Sequence, residues 1–179
     1  MMETYSKDLA EKAHRIKWVF TDVDGSLTDG RVFYSSAGEA MKAFSMRDGT
    51  GFFLLRKAGV HIGIITGENS PIVKQRAEKL KVDALFMGVE NKFETISLWA
   101  KENHVSLDEI AYLGDDLNDI KLMQSCGLSF AVADACDYAK SVVDQVLTKN
   151  GGNGAFREMA EFIISAKNYF IEEIVSRYL

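Results

Sequence analysis

Residues Trp18–Gly30 read WVFTDVDGSLTDG, an apolar run with an aromatic and β-branched bias that ends abruptly in two aspartates one residue apart. Such a run reads as a buried strand delivering carboxylates to its C-terminal edge. In an open α/β sheet, ligands sit beyond the carboxyl ends of the strands, so Asp22 and Asp24 are placed to hold a divalent cation or to attack an electrophile. A polar turn would account for Asp24-Gly25. It would not account for two carboxylates crowded where a buried strand ends, since like charges that close repel unless a cation or proton relieves them. A calcium-binding loop can also begin Asp-x-Asp, but it requires Gly at its sixth position and Glu at its twelfth, and Leu27 and Phe33 stand there.

The chain beyond this stretch alternates strands and helices. His61–Thr66, Ala84–Met87, Ile110–Leu113, Leu128–Val132 and Val143–Leu147 read as strands. Helices are expected over Gly49–Lys57, from Ser70-Pro71 to about Leu80, over Lys92–Glu102 and Leu117–Ser125, near Tyr138, and over Ala155–Ala166 before a tail to Leu179. A leading helix spans about Thr4 to Ile16. The alternation implies an α/β fold, a parallel sheet flanked by helices through right-handed crossovers. Arg31–Tyr34 and Ala40–Met46 interrupt it as two strands of a β-hairpin around Ser35-Ser36-Ala37-Gly38, with Phe33, Phe44 and Met46 as its apolar side.

At 179 residues and 47% hydrophobic, the chain can bury a substantial core, and one domain over 1–179 is expected. A net charge of -5 without a basic run argues against a nucleic-acid partner. The N-terminal stretch is charged and amphipathic and no run approaches a membrane-spanning length, so a cytoplasmic protein without a membrane partner is expected. Cys126 and Cys136 have no metal-ligand cluster around them and read as thiols.

Three further strand ends carry polar groups. Thr66-Gly67-Glu68 offers a hydroxyl and closely approaching amides that can cradle an anion, although such pairs usually make only a turn. Lys92 follows Asn91 into the first turn of a helix, where the macrodipole disfavours a cation; either a phosphate relieves it there or it is a solvated surface lysine. Gly114-Asp115-Asp116-Leu117-Asn118-Asp119 exceeds what a helix cap requires. With Asp22 and Asp24 it makes a hard oxygen environment suited to Mg2+.

These pieces, DVDGS at Asp22–Ser26, Thr66-Gly67, Lys92 and GDDLND at Gly114–Asp119, resemble in order and spacing the haloacid dehalogenase superfamily. The resemblance implies that Asp22 is the nucleophile forming an aspartyl-phosphate and Asp24 the general acid/base. It further implies that Asp22, the main-chain carbonyl of Asp24 and Asp115 hold magnesium, that Thr66, Gly67 and Lys92 bind the phosphoryl oxygens, and that Asp116, Asn118 and Asp119 support that shell. The chemistry is coherent: a phosphate dianion repels a carboxylate nucleophile until cations and amides neutralise its oxygens.

Neither the interval from Asp24 to Thr66 nor that from Thr66 to Lys92 has room for a cap domain. The chain resembles the capless sugar-acid phosphatases of the superfamily, whose hairpins assemble a tetramer and whose neighbouring subunits cover each site. The matching pieces are DVDGSLTDG, Ser45-Met46-Arg47-Asp48-Gly49, Arg76 in KQRAEKL, and GGNGAFRE at Gly151–Glu158. The resemblance implies a homotetramer acting on a small-molecule sugar-acid phosphate, with Arg47, Asp48 and Gly49 near the substrate and Arg76 on its carboxylate. Without the family, Arg76 would read as a surface helix residue. Glu68 and Lys79 resemble the pattern of relatives that act on nine-carbon acids, while Arg47-Asp48-Gly49 is closer to the eight-carbon branch, which is favoured. An inactive assembly module would have lost a catalytic aspartate, and an open-cleft protein phosphatase would be monomeric.

Overall fold

The computed structural model describes residues 7–169 and 171–176. Helix α1 (Lys7–Arg15) precedes strand β1 (Trp18–Thr21); the part of the expected leading helix before Lys7 lies outside the described residues. After the acidic turn come β2 (Phe33–Ser35) and β3 (Gly38–Met41), an antiparallel pair, then α2 (Met46–Lys57) and β4 (His61–Ile65). The alternation continues through α3 (Pro71–Leu80), β5 (Ala84–Phe86), α4 (Lys92–Glu102) and β6 (Ile110–Gly114). It closes with α5 (Ile120–Met123), β7 (Leu128–Ala131), α6 (Asp137–Val142), β8 (Gln145–Val146), α7 (Ala155–Ala166) and α8 (Ile171–Ser176).

Six strands form one parallel sheet in the order β5-β4-β1-β6-β7-β8. β6 is buried at every position, as a strand covered on both faces must be. Helix α7 contacts both α1 and α2, and α5 contacts both α4 and α6. Among the described residues the most extensive helix pairing is that of α2 and α7. A Cβ on Gly51 would meet the Arg157 Cα at 2.9 Å, so only glycine admits this approach, and Phe52 stacks on Phe156 with ring centroids 4.0 Å apart. Ser70 caps α3 by accepting from the Val73 N–H, with Pro71 at the first helical position as expected.

The hairpin departs from its expected form. Its second strand is Gly38–Met41, not Ala40–Met46, because the chain turns inward at Lys42, whose side chain is buried. Phe44 then lies beneath the Arg76 guanidinium, 5.4 Å from its ring centroid, and Ser45 caps a helix that begins at Met46, earlier than Gly49. The apolar groups that the hairpin itself exposes are Phe33, Tyr34 and Met41, at 51%, 74% and 55%. Leu117–Ser125 is likewise not one helix. It opens with a 3₁₀ turn at Leu117–Asp119, where Asp116 and Asp119 form a reciprocal cap, and α5 follows.

Candidate active site

β4, β1 and β6 are neighbours at the centre of the sheet, so the polar residues after each meet at one edge. Asp22, Asp24, Thr66, Gly67, Glu68, Asp115, Asp116, Leu117 and Asn118 line one cleft of about 340 Å³ there. The order of the strands, not proximity in sequence, makes this a single site.

Lys92 is not a surface lysine. It is 1% exposed, and its ammonium donates to Asp22 Oδ1 at 2.5 Å and to Asp119 Oδ1 at 2.6 Å. Burial alone would lower its pKa, but the charges of Asp22 and Asp119 outweigh that and hold it above the ordinary lysine range. Asp119 is the hub of this buried network. Its Oδ1 also accepts from the Tyr112 hydroxyl at 2.6 Å, and its Oδ2 accepts from the backbone N–H groups of Asp115 and Asp116 at 2.9 and 3.3 Å. Tyr112 escaped the sequence reading, since a tyrosine in an apolar strand reads as core.

The donor set fits a divalent cation. Carboxylate oxygens of Asp22, Asp115 and Asp119 lie within 4.8 Å of one another. Gly25, at φ +101°, admits Asp115 to the loop after β1; a Cβ there would stand 2.0 Å from Asp115 Oδ2. Burial, opposed by Lys92 and reinforced by Asp119, raises Asp22 to about 6, and burial with the charges of Asp22 and Asp119 raises Asp115 to about 8. Such crowding is what a bound cation relieves. Both oxygens of Asp119 are engaged within the protein, whereas Asp22 and Asp115 line the cleft and could hold an ion directly.

Lys42 also escaped the sequence reading. Its buried ammonium pairs with Asp24 Oδ1 and with Glu39 at 3.2 Å, and Glu39 in turn accepts from the Ser70 hydroxyl. Asp24 Oδ2 is buried without a hydrogen-bond partner among the described residues. The sole sequence signal was the Glu39–Lys42 spacing, which reads more naturally as a solvated pair.

The residues expected near the substrate are distributed differently. Asp48 is 2% exposed, and its carboxylate accepts from the N–H groups of Gly154 and Arg157 at 3.2 and 3.1 Å. It therefore caps the start of α7. Arg47 is exposed at the start of α2. Gly49, Arg76 and Lys79 line a cavity with Met46, Thr50 and Phe53, separate from the acidic cleft. Arg76 donates to the Ser45 carbonyl at 3.0 Å, and its Nε is buried without a partner among the described residues.

Residues 88–159 match the haloacid dehalogenase-like hydrolase family. The 3-deoxy-D-manno-octulosonate 8-phosphate phosphatase of Haemophilus influenzae is 42% identical over 159 residues, 89% of this chain and 88% of that protein. The Escherichia coli K12 phosphatase of the same name is 36% identical over 90% of this chain and 86% of its own length. A Moraxella catarrhalis phosphatase of that name, crystallised with magnesium ion, phosphate ion and KDO, superposes at a TM-score of 0.92 with 37% identity, covering 96% of this chain and 99% of that one. With this identity maintained across nearly the whole of each chain and one shared fold, the chain belongs to the haloacid dehalogenase superfamily and, within it, to the capless sugar-acid phosphatases, which are phosphoric monoester hydrolases.

Proposed function

We propose that this chain hydrolyses the 8-phosphate of 3-deoxy-D-manno-octulosonate, the substrate in the names of its relatives, through a phosphoryl group carried on Asp22. The observation that carries the reading is the pairing of Asp22 with the buried Lys92 in a cleft that also holds Asp24 and Thr66. An Asp22 carboxylate oxygen attacks phosphorus, the bond from phosphorus to the sugar oxygen breaks, and Asp24 supplies the proton that the leaving oxygen takes with its electron pair. Water then attacks phosphorus, Asp24 recovers a proton from it, and phosphate leaves with Asp22 regenerated. Lys92, Thr66 and the Gly67 amide stabilise the phosphoryl oxygens in both steps. Magnesium bound by Asp22, the Asp24 carbonyl and Asp115 would supply further positive charge to those oxygens.

The assembly that accompanies this reading is a homotetramer. Arg76 would then meet the carboxylate end of a sugar acid held in a neighbour's cleft, which accords with its lining a cavity separate from the acidic cleft of its own chain. A panel of eight- and nine-carbon sugar-acid phosphates tests the substrate. The eight-carbon ester should have the highest kcat/KM by about tenfold or more. A nine-carbon acid is the second reading, supported by the resemblance of Glu68, which lines the cleft, and Lys79 to the pattern of relatives acting on such acids. Glu68→Ala with Lys79→Ala should leave eight-carbon turnover within about threefold; a selective collapse of nine-carbon turnover from an initially higher level would replace the assignment.

Metal binding has a readout independent of catalysis. Asp22 and Asp115, raised to about 6 and 8, bind protons more tightly folded than unfolded. Ion-free stability is therefore full below the unfolded carboxylate pKa of about 4 and is lost as pH rises through the folded values. Cation binding restores it by favouring the ionised pair. At a magnesium concentration of about 100 times Kd the gain is about 2.7 kcal/mol, a rise of roughly 5–10 °C in Tm. Scanning calorimetry should show that rise at about pH 8 and a much smaller one at about pH 5. An equal rise at both would reject Asp22 and Asp115 as the ligands.

A further inference from the structure

Resting on the reading that Asp24 exchanges the proton with the leaving oxygen, we propose that Lys42 is the positioning residue for that transfer, holding one oxygen of Asp24 so that the other faces the reacting atoms. The lysine stands immediately after β3, at the base of an exposed hairpin, where a flexible stem could easily keep its ammonium in water. Instead its side chain is 0% exposed. Burying an ammonium is costly unless anions compensate, and here Asp24 and Glu39 do so.

The geometry separates the two oxygens of Asp24. Oδ1 is occupied by Lys42, whereas Oδ2 is buried and has no partner among the described residues. An unpartnered carboxylate oxygen at the wall of a polar cleft is expensive in a resting protein, and it is what a proton donor to an incoming ester oxygen must keep available. Lys42 itself does not line the cleft with Asp22 and Asp24, so its action passes through Asp24 and not through the substrate. Glu39 and Ser70 complete the support from behind. Glu39 comes from the hairpin strand β3, and Ser70 is the residue capping α3, so three separate parts of the chain fix the ammonium. Without Lys42 the Asp24 side chain regains its rotamers, and displacement by about 1 Å can cost on the order of 10²-fold in rate.

Dependence on the leaving group distinguishes positioning for proton transfer from a general structural role. A sugar alkoxide needs the proton in order to depart; nitrophenolate does not. Rapid-quench first-turnover rates of the full-length, magnesium-loaded protein should be measured with the eight-carbon sugar-acid phosphate and with 4-nitrophenyl phosphate. Lys42→Met is expected to slow sugar release about 100-fold while slowing the first nitrophenolate release less than about threefold, with KM for the sugar ester little changed. Lys42→Arg should recover most of the loss, since a second cation can hold Oδ1. Glu39→Gln, which leaves Lys42 in place but removes one of its anchors, should produce the same selectivity at smaller size and serves if Lys42→Met does not fold. Equal slowing of both substrates, or a loss confined to KM, overturns the proposal. Normal turnover of both esters by Asp22→Asn would instead reject the phosphoryl group on Asp22, a separate failure.

Discussion

Asp22→Asn should lower turnover of the sugar-acid phosphate by at least about 10⁴-fold while leaving the protein folded. The amide occupies the same volume but carries no anionic oxygen, so the bond to phosphorus cannot form. The surroundings tolerate the change. Lys92 keeps Asp119 as a partner at 2.6 Å, and removing one of three crowded carboxylates relieves part of the repulsion that, with burial, raises Asp115 to about 8. The ion-free variant should accordingly melt no lower than the parent at about pH 8, with weaker stabilisation by magnesium. Intact-mass measurement after acid quench should show an adduct of one phosphoryl group on the parent and none on the variant. A variant that retains more than about a tenth of normal turnover would sink the nucleophilic assignment.

What the sequence disclosed followed from how locally each signal is encoded. β4 and β6 were legible because runs such as HIGII and IAYLG cannot be covered by water, and Ser70-Pro71 marked the start of α3 through a cap that needs only its own turn. The acidic cleft was legible for a topological reason: strand ends in a parallel sheet converge on one edge, so Asp22, Thr66 and Asp115 could be placed together before their distances were known. The misreadings share the opposite cause. Ser45 and Asp48 have the spacing of a helix cap, yet the apolar Phe44 and Met46 beside them suggested a strand, and the carboxylate of Asp48 is committed to α7, over a hundred residues away. Lys42 belongs to the same class. Its burial depends on Asp24 and Glu39 closing around it, an arrangement that no periodicity announces.

Charging the hairpin should separate subunits and disable the sugar-acid reaction together. Phe33 and Met41 are opposite one another across β2 and β3, and both are about half exposed in the isolated chain. A two-stranded hairpin is marginal in water by itself, and an exposed apolar pair on it is stabilised by burial against another surface. Closed symmetry among identical hairpins supplies that surface, and four copies satisfy the proposed homotetramer. Each side chain so buried contributes about 1.5–3 kcal/mol, and a glutamate in its place adds the cost of an unpaired buried charge. Phe33→Glu with Met41→Glu should therefore convert a tetramer to smaller species in light scattering, with an unchanged circular-dichroism spectrum because neither side chain is part of the core. Sugar-acid turnover should fall about 100-fold at the same protein concentrations, since Arg76 lines a cavity separate from the acidic cleft of its own chain and would lose the neighbour it serves. Release of nitrophenolate from 4-nitrophenyl phosphate, which has no carboxylate for Arg76 to grip, should be affected much less. A monomer that processes the sugar-acid ester at the full rate would show that a neighbouring subunit neither covers the cleft nor contributes to it.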